Sequence, residues 1–91
     1  MQIYTIDCKD VLSEVDFWQI YLQTVEPEGT HYFGKNLHAL WDGVNGGPGW
    51  PGLCELHFIN TQSLRTLNDC LFYEQLCKLA KKSKTIQIFI E

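Results

Sequence analysis

The sequence predicts a small α/β domain, a three-stranded parallel sheet packed with three to four helices. Two observations carry that expectation. Strand-like and helix-like segments follow one another as strand, helices, strand, helices, strand, and helical crossovers between strands imply parallel pairing with right-handed connections. Within the helical segments, apolar residues recur at i, i+3 and i+4, the stripe of a helix lying on a core.

The elements follow in order. "QIYTI", residues 2–6, alternates β-branched and polar residues and reads as the first strand. Ser13 is an N-cap candidate, with Asp16 three residues on in a capping-box-like arrangement. Phe17, Trp18, Tyr21, Leu22 and Val25 then keep helical spacing until "EPEG", residues 26–29, breaks the helix. A loop carries His31, Tyr32 and Phe33 before Gly34. "YFGKNLHALWDG", residues 32–43, holds the second helix, with Asn36 as cap and Leu37, Leu40, Trp41 and Val44 on one face. "GVNGGPG", residues 43–49, ends it.

After Trp50, Pro51 and Gly52, "LCELHFI", residues 53–59, reads as the second strand. "NTQSLRTL" is ambiguous between a loop and a short helix. Thr66 with Asp69 forms another capping-box pattern, and Asn68 to Lys82 reads as the longest helix. Phe72, Leu76, Leu79 and Ala80 mark its apolar face; Glu74, Lys78 and Lys81 form a polar stripe. The terminal "KKSK" suits the negative end of the helix dipole. "TIQIFI", residues 85–90, is the last strand. There is no internal repeat and no low-complexity tract.

Residues 1–91 form one domain, since a chain this short holds a single core. A content of 45% hydrophobic and 13% aromatic residues is that of a globular protein. The net charge of −4 disfavours direct nucleic-acid binding and fits a basic partner. Cys8, Cys54, Cys70 and Cys77 contain no C-x-x-C pair and have no histidine at zinc-ligand spacing, so no metal or other cofactor is expected. The chain shows neither a signal peptide nor a membrane span, so a cytoplasmic setting with reduced cysteines is the expectation.

Catalytic chemistry finds candidates without a constellation. The glycine stretch lacks both phosphate-loop signatures and follows a helix rather than a strand. Cys54 and His57, three apart in a strand, should point to opposite faces. His38 and Asp42 lie one helical turn apart and can pair, but no nucleophile stands beside them; a solvated helix face is the plainer reading. No enzyme activity, catalytic residue or small-molecule substrate is therefore expected. Asp42 is nonetheless odd. It occupies the last turn of its helix, where the dipole makes a carboxylate cost a few tenths to about 1 kcal/mol. Stability does not explain it. Trp41, sharing a face with Leu37, reads as core. Of the loop pair Tyr32 and Phe33, one is expected to pack and one to present a contact surface.

"HYFGKNLHALWDG" resembles the hallmark segment of barstar-type ribonuclease inhibitors, Y-[YF]-G-x-N-[LF]-[DH]-A-L-W-D in form. "WPGLCEL", residues 50–56, resembles the family's proline-led second strand, and "TIQIFI" its closing strand. The likeness covers nearly the whole chain. It implies the same three-stranded parallel fold and an intracellular immunity protein that blocks the active site of a small basic secreted bacterial ribonuclease or ribonuclease-like toxin. The aspartate matching Asp42 would enter the phosphate subsite. Tyr32, Phe33 and Gly46 match the contact region, and Asn36 matches a capping position. Three positions depart from the pattern. His38 and Lys35 stand where acids are expected, and Lys78 best matches another acid on the long helix, with Glu74 one turn away. Those departures imply a different cognate enzyme, weaker binding to the usual one, or an interaction module of this fold with a non-ribonuclease partner.

Overall fold

The computed structural model describes residues 2–27, 29 and 33–91. Strands β1 (Gln2–Asp7), β2 (Cys54–Ile59) and β3 (Gln87–Ile90) pair in parallel in the order β1-β2-β3. Helices α1 (Glu14–Val25) and α2 (Leu37–Val44) carry the chain from β1 to β2. A 3-10 segment (Thr61–Cys70) and then α3 (Leu71–Lys82) carry it from β2 to β3. The expected α/β class is found. The ambiguous "NTQSLRTL" stretch becomes a 3-10 segment in place of a fourth α-helix.

Strand alternation sorts β2 into two faces. Cys54, Leu56 and Phe58 are buried, whereas Glu55, His57 and Ile59 are half-buried on the other side. Cys54 and His57 thus point apart, as the spacing required. The inner face meets a cluster of aromatic rings. Phe17 stacks 5.5 Å from Phe58 and meets Phe72 edge-on at 4.9 Å. Phe33 packs 5.7 Å from Trp18 and 6.1 Å from Tyr21. Buried rings of this kind dominate the stability of a small core. The Tyr21 hydroxyl and Trp18 Nε1 have no hydrogen-bond partner among the described residues, and burial pushes the Tyr21 phenol well above its ordinary pKa. The outer face is open: Ile3 is 55% exposed, His57 stacks 4.6 Å from Phe89, and its Nε2 lies 3.0 Å from Glu55.

The predicted caps on the first two helices form. The Asp16 N–H donates to Ser13 Oγ at 3.3 Å, while the Asp16 carboxylate accepts from Leu12 N at 3.0 Å. The reciprocal half of the box is therefore displaced by one residue. Asn36 Oδ1 accepts from Ala39 N at 2.7 Å. The third expectation fails, since α3 begins at Leu71 rather than Asn68. Leu67 is extended and buried, and Asn68, Asp69 and Cys70 all take positive φ (51°, 54° and 73°). Asn and Asp tolerate that conformation better than most residues. Thr66 donates instead to the Ser63 carbonyl at 2.8 Å, so it caps nothing. The last strand is also shorter than expected, with Ile86 buried just ahead of it.

The four cysteines are unpaired in the structure. Burial pushes the Cys8 thiol up to about 12, with the Asp7 charge adding to it, and burial also raises Cys54. Neither is a nucleophile at neutral pH. Among the described residues, no group of three or more His, Cys, Asp or Glu side chains is placed to hold a metal ion, and no helix is long and apolar enough to cross a membrane.

Candidate functional site

Helix α2 is short, and long-range packing fixes its far end. Its inner stripe, Leu40, Gly43 and Val44, is buried. Gly43 lies under the returning chain: a Cβ there would sit 3.1 Å from the Gly49 carbonyl and 3.2 Å from that of Pro48. Gly49 holds φ +90°, and a Cβ on it would come within 2.5 Å of Phe33 Cδ1. Residues 45–50 thus wrap the helix terminus with the Phe33 ring as their backstop.

That wrapping satisfies the helix's last carbonyls. Asn45 Nδ2 donates to Trp41 O at 2.7 Å. The backbone N–H groups of Gly47 and Asn45 donate to Asp42 O at 2.8 and 3.2 Å, and Gly46 N donates to Gly43 O at 3.1 Å. Asp42 therefore has a tightly held backbone. Its carboxylate is not held in the same way. That side chain is 56% exposed, and the only ionisable group within ion-pair range among the described residues is the imidazole of His38, 3.8 Å away and 87% exposed. The carboxylate thus stands on a fixed stem at the negative end of a helix, with no lysine or arginine in ion-pair range among the described residues.

The other predicted positions fall in different places. Gly46, φ +98°, is exposed with nothing within 4 Å of a would-be Cβ, so the turn projects beside Asp42. Lys35 is exposed in a left-handed conformation (φ 53°) just ahead of the Asn36 cap. It borders a cleft of about 420 Å³ with Glu14, Val15 and Trp18 of α1. Phe33 is the packed ring expected of the loop pair Tyr32 and Phe33: at 5% exposure it is core, which corrects its place among the expected contact residues. Its ring completes the aromatic cluster, which a loop residue's sequence neighbours do not reveal. Tyr32 and His31 lie outside the described residues.

Trp41 packs against the core, the role expected of it. It is only partly buried, and it lines a cleft of about 280 Å³ between α2 and α3 with Gln75, Lys78, Leu79 and Lys82. The structure thereby brings Lys78 to the edge of the Asp42 helix. Glu74, exposed one turn earlier, does not border this cleft. Lys82 was missed by the sequence reading because a lysine in a last turn already has a dipole role. Its i+4 spacing from Lys78 was the available signal.

A family model described as Barstar (barnase inhibitor) matches residues 1–88. The chain belongs to the barstar family. Among curated proteins no match is found. Membership places this chain in a family described by inhibition of a ribonuclease rather than by catalysis. It also agrees with the three-stranded parallel sheet described above. Around Asp42 stand an imidazole one turn before it, a lysine ahead of the helix, and, on α3, two lysines bordering the Trp41 cleft.

Proposed function

We propose that this protein is an intracellular inhibitor, an immunity protein, that binds and blocks the active site of a bacterial ribonuclease or ribonuclease-like toxin. One observation carries the reading: the Asp42 carboxylate projects from a helix end whose Trp41, Asp42 and Gly43 carbonyls are hydrogen-bonded, with no lysine or arginine in ion-pair range among the described residues. A ribonuclease must hold the phosphates of its substrate with cationic groups. A carboxylate carried into that site on a fixed backbone substitutes for a phosphate, and charge-assisted hydrogen bonds there are stronger than neutral ones. The net charge of −4 favours encounter with such a basic cleft. The chain's belonging to the barstar family supports the same reading.

Asp42→Ala tests it. Inhibition of the target nuclease should weaken by at least about 2 kcal/mol, the hot-spot scale, for which a barstar aspartate is itself a reference case. Folding stability should stay unchanged or rise slightly, because the carboxylate opposes its own helix dipole. Inhibition titrations against barnase and urea denaturation measure the two sides. A variant that inhibits as well as the parent would overturn the reading and favour an interaction module with a partner that is not a ribonuclease.

A further inference from the structure

The two lysines across the cleft from α2 have no structural partner. Lys78 and Lys82 both border the Trp41 cleft and are exposed, and neither takes part in an ion pair among the described residues. Lys82 has a local reason to be there, since it complements the dipole at the end of α3. Lys78 does not, because it lies before the last turn. Glu74, one turn N-terminal to it, is in the favourable orientation for a helix-face pair, yet no pair forms. A patch lined by a half-buried indole and two ammonium groups therefore lies against the helix that carries Asp42, whose carboxylate has no lysine or arginine in ion-pair range among the described residues.

We propose that the nuclease recognised by this protein has a bipolar face, cationic where it receives Asp42 and acidic where it covers the Trp41 cleft. The inference rests on the inhibitor reading above. The occupant of the cleft is a loop of the nuclease that presents a carboxylate to Lys78 and Lys82 and an apolar side chain to Trp41. Charge complementarity decides for this occupant. A uniformly basic rim would place its cations against both lysines, and like charges facing each other across an interface reject a partner. The same lysines that repel a uniformly basic nuclease select one with an acid at that position.

The probes are barnase and a set of barnase variants in which each exposed Lys or Arg bordering its cleft is replaced singly by Glu. They are titrated against the parent protein, the Lys78→Glu/Lys82→Glu double variant and Asp42→Ala, at low and at physiological salt, with circular dichroism confirming the fold of each. At least one rim-glutamate nuclease should bind the parent at least tenfold more tightly than barnase does, and the double variant should reverse that gain. The double variant should also bind barnase itself at least tenfold more tightly than the parent does. If no rim glutamate improves binding and the double variant matches the parent while Asp42→Ala still loses affinity, the bipolar face is wrong and the inhibitor reading stands. If Asp42→Ala matches the parent on every probe, the inhibitor reading fails. Absence of binding to every probe by both parent and double variant would overturn both.

Discussion

The two helices that meet at Trp41 end in opposite ways. The last turn of α3 carries Lys81 and Lys82, which complement the helix dipole, and its cap is local, with Ser83 N donating to Leu79 O at 3.0 Å. The last turn of α2 has no basic residue and carries Asp42 against the dipole. Its carbonyls are satisfied by a loop that depends on Gly43, Gly49 and Phe33. Where a charge agrees with its helix, helix stability is a sufficient reason for it. Where it disagrees, as at Asp42, helix stability gives no reason for it, and the inhibitor function proposed above supplies one. Lys78 falls between these cases: it neither opposes the dipole nor benefits from it.

The largest effect should come from removing the long-range support of α2. Phe33→Ala leaves a cavity among Trp18, Tyr21 and Gly49, and should lower unfolding free energy by about 3–5 kcal/mol. Gly49→Ala should destabilise as well, because it needs φ +90° and its methyl would meet the Phe33 ring at 2.5 Å. Urea denaturation measures both. A Phe33→Ala protein within about 0.5 kcal/mol of the parent, the range of an ordinary surface change, would mean that the end of α2 is as locally determined as that of α3.

The legibility of the molecule follows the same division. The strands and the first two helices were readable because periodicity and side-chain caps are local: Ser13 and Asn36 make the bonds that their positions implied. The start of α3 was not, because Thr66 and Asp69 make the same pattern without the geometry. Packing of Leu67 and three left-handed residues override it. At the site, Asp42 stood out through its conflict with the dipole, which sequence position alone reveals. Which ring of the pair Tyr32 and Phe33 packs, and how much of Trp41 stays exposed, were not legible, because burial and cleft formation depend on elements distant in the chain. The place of Lys82 at the Trp41 cleft was not legible, because a lysine in a last turn already has a sufficient local reason.

A charge exchange between the two helix ends gives a smaller effect and sharpens the contrast. Asp42→Lys should raise folding stability by about 0.3–1 kcal/mol, and Lys82→Glu should lower it by a similar amount, since each reverses the fit to its dipole. Their effects on inhibition should not follow stability. The more stable Asp42→Lys protein should be the one that no longer binds barnase. Thermal unfolding with parallel inhibition titrations checks the pairing. If stability and inhibition rise or fall together in both variants, the distinction between structural and functional charges at these termini fails.

The smallest effect concerns His38. Its side chain is 87% exposed and lies 3.8 Å from Asp42 on the projecting face of α2. It holds nothing in place, so replacing it should leave the fold intact. His38→Asp sets a second carboxylate one turn before Asp42. In the free protein the two repel slightly, as like charges at i and i+4 do. Facing a basic cleft, they should attract together. Exposed charges act chiefly on encounter, so association with barnase should become severalfold faster at low salt, with little change in dissociation. The gain should fade toward 1 M salt, where the screening length is about 3 Å. His38→Gln separates charge from shape, because it removes the imidazole and adds no carboxylate. Stopped-flow association of the three proteins across a salt series gives the decision. Equal gains from Asp and Gln would assign the effect to loss of the imidazole, and no gain from Asp at low salt would place this turn of α2 outside the encounter surface.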